Sequence, residues 1–511
     1  MLRCVLILIV WFWAWPALAL AQAEDDLPLP TRAEVMAEIE AFLDAEKDDL
    51  SDEQGVAAEW DALAHDILPA MGGRDEVELW LPLIERLTAA ARYETNDPYL
   101  DRDRQERTSS RFYRLGMIDE SRQMIVMAWD SIDRESHSDP DAFQAYLNWL
   151  GAAYRAESLD QNDLAAHAYL RAMSIAAENP QHFENNDVLD AALGLAGVDR
   201  GVLATNTIRD LNQTFSNDES EAVYWQSLAM FAALTEGETG AELAVTYVDA
   251  DVSAFDASGI YRSLAESFVT RGELETATQF LLYALNAQGF DQVDRSENAM
   301  FWASAGWIAA RAGRCDLAAP LMRLSVLVDT IREVEWRTRL ERATEVSYRG
   351  GIRLLIQPDG GQAFSYEDDR SFPGQSRLVI RLRTAARCGR MDEVIADIWQ
   401  YHQHAGGLNS LDLAPFREAE GFVDPAQARA LRLAFYRQLN ADLVLGMPTP
   451  DDDWQRVGRI KILAYWAYGA RDAGHDDLSR VALLRAIELI EDLEGRALME
   501  ALAWITAALP E

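Results

Sequence analysis

The sequence predicts an all-α fold, an α-solenoid of stacked antiparallel helix pairs. Three observations predict it. Five glycines, Gly116, Gly272, Gly313, Gly389 and Gly474, each lie between two helix-like stretches, and each is followed three residues later by an acid: Asp119, Glu275, Asp316, Asp392 and Asp477. Large and small residues recur at set distances from these glycines. Strand-like alternation is nearly absent. Spacings of three, four and seven place the recurring residues on one helix face. A glycine can end the first helix in the left-handed cap conformation at little cost. The acid then falls in the first turn of the second helix, beside unpaired amides and the positive end of the dipole.

Taken in chain order, residues 1–23 read as a cleaved secretory signal. Arg3 is the basic start, Val5 to Trp15 is apolar, and Ala21-Gln22-Ala23 is a small-residue cleavage site before Glu24-Asp25-Asp26. The rival is an uncleaved anchor, which needs about 20 apolar residues. Cys4 lies too early to carry lipid. The expected mature product is periplasmic or secreted, with no transmembrane segment. Residues 24–356 form an expected amino-terminal repeat array. Thr31 with Glu34 reads as a capping box. Around Gly116 the register holds Phe112, Ser121, Ile125 and Ala128. Around Asp160, which takes the glycine's place, it holds Trp149, Ala152, Ala153 and Ala156, then Ala165, Tyr169 and Ala172. Around Gly272 stand Tyr261, Leu264, Ala265 and Phe268, then Ala277, Leu281 and Ala284. Around Gly313 stand Trp302, Ala305, Gly306 and Ala309, then Ala318, Met322 and Ser325.

Residues 357–375 break the pattern with Pro358, Gly360, Gly361, Pro373 and Gly374, and carry Phe364, Tyr366 and Phe372 among acids. A loop of this length is uncommon unless it is functional or disordered, so these three aromatics are the candidate partner contacts. Residues 376–511 form an expected carboxy-terminal array. Around Gly389 it holds Leu378, Leu382 and Ala385, then Val394, Ile398 and Tyr401. Around Gly474 it holds Leu463, Trp466, Ala467 and Ala470, then Ser479, Leu483 and Ala486. Asp424-Pro425 and Thr449-Pro450-Asp451 read as helix starts with Pro at the first position, and Ala497 to Leu509 as a final capping helix.

The arrangement resembles the tetratricopeptide repeat family. That motif combines a large residue, a Leu-Gly-like pair, an aromatic, a turn glycine and alanines in the second helix, and Tyr261 to Ala284 is the best copy. The resemblance implies a right-handed solenoid whose concave surface holds peptides or proteins. Two features depart from the family. Gly272 to Gly313 spans 41 residues rather than about 34, and no copy ends with the usual proline.

The chain of 511 residues has 85 acids against 46 bases, a formal charge of −39. Such acidity argues against nucleic acid and disfavours an anionic lipid surface, and it favours a basic protein or peptide. Cys315 and Cys388 can pair in an oxidising compartment or stay as two buried thiols. No nucleophile elbow, zinc-protease motif, phosphate loop or dinucleotide fingerprint occurs, so no catalytic, cofactor or metal residue is assigned. His402 and His404 point to different faces if helical. Asp249, Asp251, Ser253 and Asp256 lack the glycine and glutamate of a calcium loop. The expected function is a non-catalytic protein-binding scaffold or adaptor of the bacterial envelope. The alternative is a helical cell-wall-binding or processing protein.

Overall fold

A computed structural model describes residues 28–48, 52–138, 141–183, parts of 191–198, 244–246, 254–287, 295–330, 375–396, 413–446, 449–450, 452–491 and 493–510. Among the described residues every regular element is helical. The expected loop at 357–375, apart from Gln375, and the signal at 1–23 lie outside them. Packing groups the chain into two compact units, Ala91–Cys388 and a second that joins Met1–Ala90 with Gly389–Glu511.

In the unit Ala91–Cys388, consecutive helices pair: α4 (Pro98–Arg114) with α5 (Ile118–Ser138), α6 (Ala142–Ser158) with α7 (Asn162–Glu178), α8 (Ala254–Thr270) with α9 (Leu274–Ala287), and α10 (Arg295–Arg311) with α11 (Cys315–Thr330); α12 (Gln375–Arg387) packs on α10 and α11. The turns have one construction. Gly116, Gly272 and Gly313 have φ of 75°, 80° and 74°, and Asp160, standing in a glycine's place, has φ 53°. In each turn the next residue's N–H reaches back to the carbonyl five residues before: Met117 to Phe112 (2.9 Å), Gln161 to Ala156 (2.9 Å), Glu273 to Phe268 (2.9 Å) and Arg314 to Ala309 (2.8 Å). This is the Schellman closure, and it satisfies carbonyls that the helix end leaves open. At Asp160, the one non-glycine among them, the Tyr113 hydroxyl donates to the carboxylate at 2.6 Å.

The register residues line the core. Tyr261, Leu264, Phe268, Ala277, Leu281 and Ala284 are buried, as are Trp149, Ala153, Tyr169, Trp302, Ala305 and Met322. A Cβ on Gly306 would lie 2.8 Å from the Met322 sulfur, so the small position makes room for the large one. Neighbouring pairs are joined by polar contacts about one repeat apart. Arg122 donates to both oxygens of Asp163 (2.8 and 2.5 Å), Gln161 to Ser121 (2.8 Å) and Arg311 to Thr270 (3.2 Å), at separations of 41, 40 and 41 residues. Asp163, three residues after its turn, thus lies in the first turn of its own helix and receives an arginine from the preceding pair, whereas Asp316 is held by Arg314 of its own turn. The Arg122 hydrogen bonding holds the Asp163 carboxyl down at about 2.

The second unit gathers α1 (Arg32–Asp48), α2 (Asp52–Ala62), α3 (Val77–Arg92, whose last two residues fall in the other unit), α13 (Ala414–Gly421), α14 (Pro425–Gln438), α15 (Ala441–Leu445), α16 (Asp453–Asp472), α17 (Asp476–Glu488) and α18 (Gly495–Ala508). The α1 start is a true capping box: Glu34 N–H donates to Thr31 Oγ1 (3.2 Å) and Thr31 N–H to Glu34 Oε2 (2.8 Å). Asp424 caps α14 in the same way with Gln427. The start expected at Thr449-Pro450-Asp451 comes later. Asp452 is the cap, accepting from Gln455 N–H at 2.8 Å.

The last helix is not a cap. Residues 501–509 are all buried, because α1, α16, α17 and the segment Leu63–Ala70 surround α18. Its terminal carbonyls are satisfied by arginines, Arg471 on Ala508 and Arg32 on Leu509, both at 2.8 Å. At Gly389 the register shifts: Met391 and Ile395 are buried and Val394 only half-buried, while Ile398 and Tyr401 lie outside the described residues.

Two glycines separate strain from crowding. Gly272 has open space where a Cβ would go, so Gly272→Ala carries only the left-handed penalty, about 1 kcal/mol. A Cβ on Gly469 would sit 2.5 Å from the Arg432 carbonyl, so Gly469→Ala must push α14 from α16 at a cost of about 3 kcal/mol. Urea midpoints of the two variants test this; equal loss would show that the α14–α16 approach is not tight.

Candidate functional site

The expected contact aromatics Phe364, Tyr366 and Phe372 lie outside the described residues, as do His402, His404, Asp249, Asp251 and Ser253, while Asp256 falls in the first turn of α8. Among the described residues, three arrangements carry unusual chemistry.

The first is the outward face of α6. Asp141 caps this helix, accepting from Phe143 N–H (2.9 Å) and Gln144 N–H (3.3 Å). Ala145, Tyr146, Trp149, Ala152, Ala153 and Ala156 turn inward and are buried. On the opposite side Phe143, Leu147 and Tyr154 are 37%, 41% and 48% exposed. Spacings of four and seven make them one stripe. Carboxylates flank it. Glu106 on α4 lies 3.9 Å from Arg155, and burial pushes its carboxyl up against the pull of Arg155 and Arg102. Glu157 accepts from the Tyr169 hydroxyl at 2.6 Å. Burial raises its carboxyl, Tyr169 opposes the rise, and the nearby Glu266 charge adds to it.

The second is a polar seam between α4 and α5. Asp101, Arg104, Gln105, Thr108 and Ser109 occupy a regular inward stripe and are buried. They are matched across the pair: Ser131 donates to Gln105 (2.9 Å), Ser109 and Ser121 share a hydrogen bond (3.1 Å), and Arg134 reaches Asp101 (2.8 Å). Asp101 also accepts from the Thr95 N–H and hydroxyl. Burial would raise the Asp101 carboxyl, but these donors outweigh it and hold it below the usual range.

The third is a buried charge network in the second unit. Arg417 donates to the Ala70 carbonyl through Nε (2.9 Å) and Nη2 (2.7 Å), to Glu76 through Nη2, and to Glu420 through Nη1 (2.6 Å). Arg432 bridges Glu420 (3.0 Å) and Asp472 (2.7 Å), and the Tyr465 hydroxyl donates to Glu420 at 2.6 Å. Arg417, Arg432, Glu76 and Glu420 are all buried. Burial pushes Glu420 above the usual carboxyl range despite both arginines, whereas Arg417 and the Gly72 N–H overcome burial at Glu76 and hold it low. The Tyr468 ring lies under the guanidiniums of Arg432 (4.2 Å) and Arg471 (4.7 Å). Gly72 is required because a Cβ there would meet the Arg417 guanidinium at 2.6 Å. The network locks segment 68–76 onto α13, α14 and α16.

Cys315 and Cys388 are joined as a disulfide with Cα atoms 5.5 Å apart. Cys315 opens α11 and Cys388 follows α12, and these helices pack together. Among the described residues no group of three or more His, Cys, Asp and Glu is placed to hold a metal, and no helix is long and apolar enough to cross a membrane. No protein-family model matches the chain, and no curated protein matches it either.

The aligned glycines locate only inward-facing positions, so sequence reasoning passed over the α6 face and the charge network. The signals were present. Phe143, Leu147 and Tyr154 keep helical spacing opposite Trp149 and Ala153. Tyr465, Tyr468, Gly469 and Asp472 share a face of α16.

Arg417→Met strands Glu76 without its cation, leaves Glu420 with Arg432 alone, and costs about 3–5 kcal/mol, while Glu420→Gln, which can still accept from Tyr465, costs less. Denaturant titration monitored by tryptophan fluorescence ranks them; an Arg417→Met protein of wild-type stability would show that the network clamps nothing. Replacing Cys315 and Cys388 by Ser reopens a span of 73 residues and lowers stability by about 4 kcal/mol on the loop-entropy scale. Reductant should shift the wild-type melting curve towards that of the variant and leave the variant's own curve in place.

Proposed function

We propose that this protein is an exported, non-catalytic scaffold or adaptor of the bacterial cell envelope that holds partner proteins or peptides on an acidic helical surface. The observation that carries this reading is the exposed stripe of Phe143, Leu147 and Tyr154 on a helix whose opposite face is fully committed to the core. Scattered apolar exposure is ordinary, but an aligned stripe on one helix marks a surface meant for contact. The repeated pairing supports a right-handed, tetratricopeptide-like solenoid. In such a stack the outward faces of the first helices lie side by side along one concave surface. The disulfide supports an oxidising compartment outside the cytoplasm, in keeping with the signal-like amino terminus. The net charge of −39 supports a basic partner.

A photoreactive amino acid placed at 147 or 154 in growing cells should give discrete covalent adducts with envelope proteins, and the same probe at exposed Trp454 should not. Adduct formation in extracts should fall as salt rises, since exposed charges are screened within about 8 Å at physiological ionic strength. Absence of adducts from every helix face probed would overturn the scaffold reading. So would turnover of purified cell wall by the isolated protein.

A further inference from the structure

We infer that the outward face of α6 docks a basic amphipathic segment of another protein, with apolar side chains on Phe143, Leu147 and Tyr154 and a Lys or Arg reaching Glu157. This rests on the scaffold reading above and narrows it to one surface and one partner chemistry.

The stripe runs from residue 143 to residue 154, about 16 Å at the helical rise, which suits two or three anchors of a single segment. Its middle is open. Gly151 lies between Leu147 and Tyr154, and nothing stands within 4 Å of where its Cβ would be, so a partner's side chain can approach the backbone there. The charges beside the stripe are unequal in a telling way. Glu106 has Arg155, although at 3.9 Å and without a hydrogen bond among those observed. Glu157 has no cation among the described residues. It has only the Tyr169 hydroxyl, and Glu266 adds a second negative charge nearby. A half-buried carboxylate with no cation is costly, and an incoming ammonium or guanidinium relieves that cost.

The alternatives fit less well. A second copy of this chain would bring another charge of −39. Phosphate-bearing partners are repelled by the same carboxylates. A bound metal needs three converging ligands, and no such group occurs among the described residues.

The test uses the full-length protein and a fluorescent amphipathic helix of Leu, Ala and Lys, about 18 residues or five turns long. Two analogues serve beside it, one with Glu for Lys and one with Ser for Leu. The Lys peptide should bind and both analogues should bind at least tenfold more weakly. Leu147→Asp should weaken the Lys peptide about tenfold. Glu157→Gln, which can still accept from Tyr169, should weaken it about fivefold and flatten the dependence of affinity on salt. Glu275→Gln, an exposed acid on α9, should match wild type, and circular dichroism should show each variant folded. If Leu147→Asp and Glu157→Gln bind like wild type, or the Glu peptide binds as well as the Lys peptide, the docking proposal is wrong. Cellular adducts from faces other than α6 would then leave the scaffold reading standing, whereas their absence everywhere would remove both.

Discussion

The paired architecture depends on the backbone turn that closes each first helix. A residue in the left-handed conformation lets the chain reverse while the next amide reaches back five residues to a carbonyl that would otherwise be unpaired. That closure fixes where the second helix starts and therefore which of its residues meet the first. Alanines at 153, 156, 165 and 172 can all be buried only because the turn delivers them to one another. Asp160 shows that the requirement is conformational rather than chemical. The position accepts a residue with a Cβ, and the left-handed strain is offset by the Tyr113 hydrogen bond. At that same turn the acid three residues on, Asp163, joins its pair to the pair before it through Arg122.

The two units use buried polarity for different ends. In α4 and α5 a polar inward stripe is matched across the pair by hydrogen bonds beside apolar Phe112, Met124, Ile125 and Ile132, and those bonds help to set its register. A matched polar interface tolerates fewer alternative alignments than an apolar one, since each slip strands a donor or an acceptor. In the second unit, Arg417 and Arg432 hold residues from both ends of the chain in one place. Isolated arginines and glutamates at these depths would be costly. Together they specify one arrangement, and Gly72 and Gly469 leave room for it.

The helix pairs were legible in the sequence because turn glycines and inward residues are local signals, each readable within about 30 positions. Gly116, Gly272 and Gly313 behave as their context demands, and the register residues around them are buried. Features that depend on distant segments were not legible. Ala497 to Leu509 resembles a terminal helix with one exposed side until α1 and residues 63–70 cover that side. The start at Thr449 was misplaced because Asp452 offers an equally good cap nearer the apolar run. Arg417 and Glu420 looked like ordinary surface charges in an acidic chain, and only their encounter with Ala70 and Glu76 makes them core residues.

The candidate surface was hidden for a related reason. A repeat register identifies what a helix gives to its neighbours, and everything outside the register is treated as solvent face. On α6 that remainder is itself patterned, with Phe143, Leu147 and Tyr154 at spacings of four and seven and polar Gln144, Arg155 and Ser158 to one side. Phe143 meets the Phe183 ring at 5.8 Å and Tyr154 the Tyr169 ring at 5.9 Å, yet all three side chains stay more than a third exposed. On the docking proposal, the carboxylates beside them favour a partner with positive charge, and Glu157, with no cation among the described residues, is the group that such a charge would meet.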